Sequence, residues 1–178
     1  MISDILDISK IEIGAVELDE QTFELEQCVA ECMSMVRERA DNSGLNLSMD
    51  IDLGGRGIFA DELRIKQILL NLLSNAIKFT PPNGDISVAG QIDENGDMRL
   101  CVRDTGIGIA TDKFDTVLEP FGQVRTNSSL PHEGTGLGLP LAKSLVEIHG
   151  GSLDIESTVT KGTAVTMRSP AARITEAH

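Results

Sequence analysis

Residues 104–110 read DTGIGIA, an aspartate and a threonine set directly before two glycines one residue apart. Just upstream, RLCV at residues 99–102 has the alternation of a strand. A Gly-x-Gly after a strand suits a phosphate-cradling loop, a hairpin turn or a bend that aims an acid into a pocket. Asp104 bears on the choice. A carboxylate only accepts hydrogen bonds, so it suits an exocyclic amine, and its charge repels a phosphate.

Working outward, ENG at residues 94–96 joins DISVAGQID to DMRLCVRD as a hairpin. Before it, ELRIKQILLNLLSNAIKFT reads as a helix capped by Asp61 and stopped by Pro81 and Pro82. LNLSMDI alternates as a strand with Leu45, Leu47, Met49 and Ile51 inward, and GIFAD is a short second strand. ELEQCVAECMSMVRERADNSG is an amphipathic helix with Leu25, Val29, Cys32, Met33 and Val36 on one face and Gly44 closing it. At the start, Ile2, Ile5, Leu6, Ser9 and Ile13 mark a helical stripe that ends at Gly14, too short to be stable alone. The stretch from residue 106 to 138 reads mostly as loop. It is followed by the helix LPLAKSLVEIHGG and a hairpin of SLDIES and TAVTM around KG. This order predicts an α/β protein, a two-layer α/β sandwich in which one mixed sheet carries its helices on one face.

At 178 residues the chain supports one good core, aliphatic because Trp and Tyr are absent and only five Phe are present. A net charge of −13 argues against nucleic acid and against anionic membrane as partners. A polyanion would have to be held locally, by a metal ion, a few basic side chains or backbone N–H groups. No apolar run approaches membrane-spanning length. Cys28 and Cys32 stand four apart without a nearby His or third Cys, so the three cysteines read as reduced thiols of a cytosolic protein.

Three patterns carry chemistry. Asn71, Asn75 and Lys78 are spaced four and three, on one helical face. Such a stripe is either solvated surface or a site where Asn75 offers oxygen to a hard cation and Lys78 reaches a phosphate. Asp104 with Gly106 and Gly108 is the second. In GTGLGLPLAK, Gly134, Gly136 and Gly138 run into a helix N-terminus, where backbone N–H groups suit phosphate oxygens. Close helix–sheet packing is the equal alternative for that third pattern.

In this order the patterns resemble the catalytic and ATP-binding domain of bacterial sensor histidine kinases, of the GHKL (Bergerat) superfamily. NLLSNAIKFT resembles the N box, DTGIGI the G1 box, LEPFGQ the F box and GTGLGLPLAKSLVEIHGG the G2 box, with KGTAVTM as the terminal GT strand. The resemblance covers residues 23–167. It implies a Bergerat ATP-binding fold over residues 18–168. Residues 1–17 resemble the end of the second helix of a dimerisation and phosphotransfer domain with its linker, and residues 169–178 are expected to be a flexible tail.

The resemblance implies ATP and Mg2+ as cofactors. Asp104 would bind the adenine amine, with Thr163 helping through a bridging water, while Gly106 and Gly108 pass under the base. Asn75 would hold Mg2+, and Asn71 and Lys78 would contact the phosphates and carry catalysis. Gly134, Thr135, Gly136, Leu137 and Gly138 would close over the triphosphate. Phe114 and Phe121 either anchor the lid or pack the core, and Arg125 either meets the γ-phosphate or is a solvated loop arginine.

In the ATP-hydrolysing branch, such as gyrase, a glutamate stands four residues before the metal-binding asparagine. Asn71 holds that position here and cannot take a proton, which favours keeping ATP intact for transfer to a histidine. The implied protein is a histidine kinase of two-component signalling, cytoplasmic in this part, on a parent that is either soluble or membrane-anchored. Its partners would be a histidine-bearing dimerisation domain, a downstream response regulator and, at full length, a second copy. His132, His149 and His178 have no family-like acid or base beside them, so the phosphoacceptor is expected upstream and the chain to be part of a longer kinase. A degenerate partner-binding scaffold and a serine kinase of the anti-sigma-factor type are the alternatives.

Overall fold

The computed structural model describes residues 2–119 and 137–176. Period-two burial builds the central strands. In β5 (Met98–Asp104) Met98, Leu100 and Val102 are buried while Arg99 and Arg103 are exposed, as in a sheet covered on one face. β4 (Asp85–Ile92) pairs antiparallel with it, Ile86 opposite Asp104 and Ile92 opposite Met98. β2 (Asn46–Asp52) runs parallel to β4 at one edge. β7 (Gly162–Ser169) lies antiparallel to β5, and β6 (Ser152–Thr158) closes the other edge, giving the order β2-β4-β5-β7-β6.

Helices cover one face of this sheet. α3 (Glu62–Phe79) begins at Asp61, whose Oδ1 accepts the Arg64 N–H at 3.2 Å, and buries Ile65, Ile68, Leu69, Leu72, Leu73, Ala76 and Ile77. That spacing of three and four presents one apolar stripe to the strands and leaves Asn71, Asn75 and Lys78 off it. α2 (Leu25–Asn42) packs on one flank of α3. On its other flank lies a helix over Gly138–Ile148, which buries Leu141, Ala142, Leu145 and Val146. The three helices and the inward strand residues share one core, each buried aliphatic side chain contributing about 1.5–3 kcal/mol. This is the two-layer α/β sandwich expected from the order of elements.

Four details differ from expectation. Met49 sits on the edge strand β2 and is 38% exposed rather than inward. In α1 (Ile2–Glu12) it is Ile8 and Ile11 that meet the core, while Ile5, Leu6 and Ile13 are exposed. Asp7 sets that rotation by accepting from Gln67 at 3.0 Å and pairing with Arg64 at 3.4 Å. The stretch after residue 110 contains a 3₁₀ turn at Thr111–Lys113 and α4 (Phe114–Leu118); the helix at Gly138–Ile148 is therefore α5.

Finally, a second sheet joins β1 (Gln21–Phe23), β3 (Arg56–Ala60) and β8 (Ile174–Glu176), all antiparallel. The C-terminal residues expected to fray thus form part of the fold as far as residue 176. Arg173 holds them. Its Nη1 donates to Glu20 at 2.6 Å and to the Phe59 carbonyl at 2.9 Å, and its Nε donates to the His149 carbonyl.

Candidate functional site

β5 ends at Asp104 on the helix-covered side of the sheet, beside the C-terminal end of α3. The chain then bends, and the bend is pinned on both sides. Ile107 N–H donates to the Phe79 carbonyl at 3.1 Å. Thr105 exchanges two bonds with Asp85, N–H to carbonyl at 3.1 Å and Oγ1 from N–H at 2.9 Å. From the β6–β7 turn, Thr160 N–H donates to the Ile107 carbonyl at 2.8 Å.

Within the bend, Asp104 Oδ1 accepts the Gly106 N–H at 2.8 Å and the Thr163 N–H at 3.3 Å. Both bonds fall on Oδ1, and Oδ2 takes none among the described residues. Burial raises the Asp104 pKa, and the two backbone donors pull it the other way. The glycines are needed for space. A Cβ on Gly106 would lie 2.4 Å from the Phe79 carbonyl oxygen. Gly108 combines φ +75° with a position where a Cβ would lie 2.2 Å from the Thr158 carbonyl oxygen. Asp104, Gly106, Gly108 and Thr163 are therefore one unit: a half-buried carboxylate with one oxygen held and the other without a hydrogen bond among the described residues.

The second group of expected residues lies along α3. Asn71 and Asn75 are half-buried. Asn71 Nδ2 is buried without a hydrogen-bond partner, an unusual state that costs about 1–3 kcal/mol. Gly138, the first residue of α5, lies against this side chain: a Cβ there would be 3.9 Å from Asn71 Cβ and Cγ. Lys78 Nζ sits 5.0 Å from the centre of the Phe79 ring, a cation–π distance. Leu137 is buried immediately before α5. An amide N–H2 can only donate, so the orphan on Asn71 fits an oxyanion. A carbonyl oxygen on Asn75 fits a hard cation that keeps most of its water. The residues present thus fit a nucleotide triphosphate and its metal.

Gly134, Thr135, Gly136, Phe121, Arg125, His132 and His178 lie outside the described residues. Phe114 opens α4 and is half-buried. Cys28 and Cys32 are free thiols fully buried on the inner face of α2. His149 is 4% exposed and structural. Its Nδ1 donates to the Leu145 carbonyl at 2.7 Å, and its Nε2 accepts the Asp61 N–H at 3.3 Å, joining the end of α5 to the start of α3. Burial lowers its pKa.

Sequence reasoning passed over Ser157. This residue on β6 receives the Ile109 N–H at 2.7 Å, donates to the Gly162 carbonyl at 2.9 Å and lies 2.7 Å from Thr163 Oγ1. In sequence it is one polar residue in an alternating strand, with nothing to mark it.

Comparison with known proteins gives the family and agrees with the fold. Residues 60–173 match the family described as histidine kinase-, DNA gyrase B-, and HSP90-like ATPase. The non-motile and phage-resistance protein of Caulobacter vibrioides is 44% identical over 173 residues, 96% of this chain and 20% of that protein. The cell-division control histidine kinase PdhS of Brucella anthropi is 37% identical over 182 residues, 98% of this chain and 17% of that protein. The chain thus spans about a fifth of the length of these relatives.

Among solved structures, full-length ShkA in complex with AMPPNP superposes with a TM-score of 0.85 at 27% identity, over 99% of this chain and 35% of that one. The catalytic domain of histidine kinase ThkA gives 0.73 at 27% identity, over 86% and 96%. The chain belongs to the histidine kinase-, DNA gyrase B-, and HSP90-like ATPase family, as an ATP-binding catalytic domain of the histidine-kinase kind.

Proposed function

We propose that this chain holds Mg-ATP for transfer of the γ-phosphoryl group to a histidine on a dimerisation domain, within two-component signalling. The observation that carries the reading is the asymmetry of Asp104. Oδ1 is committed to the Gly106 and Thr163 N–H groups, and Oδ2 takes no hydrogen bond among the described residues. That leaves one fixed, charged acceptor for the amine of adenine, with Thr163 completing the contact through a water. Gly106 and Gly108 keep the space beneath the base.

The phosphates fall to α3 and the start of α5. The unpartnered Asn71 Nδ2 supports a phosphate contact, Lys78 supplies charge from the same stripe, and the segment Gly134, Thr135, Gly136, Leu137 and Gly138 closes over the triphosphate. Asn75 holds Mg2+, which supplies charge neutralisation on the phosphate oxygens. Phosphoryl transfer depends mainly on positioning and charge. Asn71 takes no proton from water, so bound ATP is spared hydrolysis and kept for a histidine.

In this reading residues 1–17 are the end of a dimerisation helix and its linker, and residues 18–168 hold the catalytic unit. The histidine-bearing domain and a response regulator are its partners, a second copy joins it at full length, and the setting is cytoplasmic. No described helix is long and apolar enough to cross a membrane. Calorimetry with Mg-ATP tests the binding. Incubation with labelled ATP, alone and with a separately made histidine-bearing dimerisation domain, tests the transfer. Acid-labile label appears on the added domain only. Absence of binding, or label on this chain itself, overturns the proposal.

A further inference from the structure

Ser157 carries three contacts on one oxygen, and a count of protons orders them. A serine hydroxyl has one proton and two lone pairs. The Ile109 N–H donates into Ser157 Oγ at 2.7 Å. The Gly162 carbonyl, at 2.9 Å, can only accept, so it takes the serine proton. The third contact, Thr163 Oγ1 at 2.7 Å, is then satisfied only if Thr163 donates. Its single proton is turned back toward β6, and Thr163 Oγ1 keeps only acceptor capacity. Thr163 stands opposite Asp104 in the β5–β7 ladder and donates its backbone N–H to Asp104 Oδ1. Asp104 Oδ2 is likewise an acceptor. Two acceptors therefore stand side by side.

We propose that Ser157 is a positioning residue for base selection: by taking the Thr163 proton it makes the pocket acceptor-only and so selects a 6-amino purine over a 6-oxo purine. A 6-amino group, directly or through a water, brings donors to both oxygens. A 6-oxo group brings a third acceptor to the same place. The inference rests on the reading that Asp104 and Thr163 face the base. Removing the serine hydroxyl releases the Thr163 proton, which then rotates and donates to a 6-oxo oxygen.

The test is calorimetric titration of the whole chain with ATP and with inosine triphosphate, both with Mg2+. The unmodified chain prefers ATP. Ser157→Ala narrows the ATP-to-ITP ratio by about fivefold, the effect of about one hydrogen bond, and Ser157→Thr restores it. Thr163→Val narrows the ratio similarly, and adding Ser157→Ala to it changes the ratio no further. Should Ser157→Ala not fold, Ser157→Cys takes its place, since a thiol is only a weak acceptor: a narrowed ratio supports the inference and an unchanged ratio overturns it. A purely structural role for Ser157 weakens both nucleotides equally and leaves the ratio unchanged; that result overturns the inference. Asp104→Ala separates the two levels. If it leaves ATP affinity unaltered, the reading of the base pocket fails. If it abolishes selectivity while Ser157→Ala keeps the full ratio, only the role of Ser157 fails.

Discussion

Replacing Asp104 by asparagine changes one atom of the side chain and separates folding from binding. The amide oxygen keeps both bonds that hold the bend, from the Gly106 N–H at 2.8 Å and the Thr163 N–H at 3.3 Å. The amide nitrogen takes the place of Oδ2 and presents donors to an adenine amine that also donates.

The apo protein should tolerate this. Burial raises the Asp104 pKa above its usual 3.8, so the folded state holds its proton more tightly than the unfolded chain does. The stability linked to this group is complete below 3.8 and is lost as pH rises through the raised value. At pH 7 the neutral amide escapes that loss, and urea unfolding should give Asp104→Asn a midpoint no lower than that of the parent.

Nucleotide binding should suffer. Losing a charge-assisted hydrogen bond costs about 1.5–3 kcal/mol, roughly ten- to hundredfold in Kd. Calorimetry with Mg-ATP measures this directly. In the parent, acidification toward the raised pKa should weaken ATP, because the proton competes for the carboxylate, whereas Asp104→Asn should show no such dependence on this group. A variant that folds normally and binds ATP within about twofold of the parent refutes the reasoning.

Three further outcomes are expected. Gly106→Ala places a Cβ 2.4 Å from the Phe79 carbonyl oxygen, so it should lower stability by about 1–3 kcal/mol in urea unfolding and weaken ATP. Asn71→Leu removes a buried amide nitrogen with no partner; stability should rise by about 1 kcal/mol while ATP affinity falls, and a loss of both would show that Asn71 serves the fold. His149 is buried with its pKa lowered from 6.5, chiefly by burial with help from the nearby Arg173 charge, against the hydrogen bond to the Leu145 carbonyl and the charges of Glu20 and Asp61. Its contribution is present above pH 6.5 and is lost as pH falls through the lowered value. Urea midpoints between pH 7.5 and 5.5 should therefore decline in the parent and flatten in His149→Gln.

The candidate site was legible because its elements are local. Asn71, Asn75 and Lys78 share a face of α3 by spacing alone, and Asp104 precedes a bend that its own glycines announce. Ser157 was not legible, since its work depends on meeting Ile109, Gly162 and Thr163 across a hairpin. The helix rotation of α1 was misread for the same reason. Its apolar residues mark more than one stripe, and the pairing of Asp7 with Arg64 and Gln67 chooses among them.

Sequence alone determined the main helices and strands and their two-layer arrangement, because hydrophobic period, caps and turn residues act within a few positions of the chain, and its ordered boxes carried the resemblance to the family. Tertiary structure decided the rest. It recruited the C-terminal residues into a second sheet through Arg173, which reaches Glu20, the Phe59 carbonyl and the His149 carbonyl from far along the chain. Among the described residues it left Asn71 Nδ2 buried and unpaired, and it placed both hydrogen bonds to the Asp104 carboxylate on one oxygen. Those states arise only where distant backbone and side chains compete for the same donors and acceptors, and no local pattern records which of them wins.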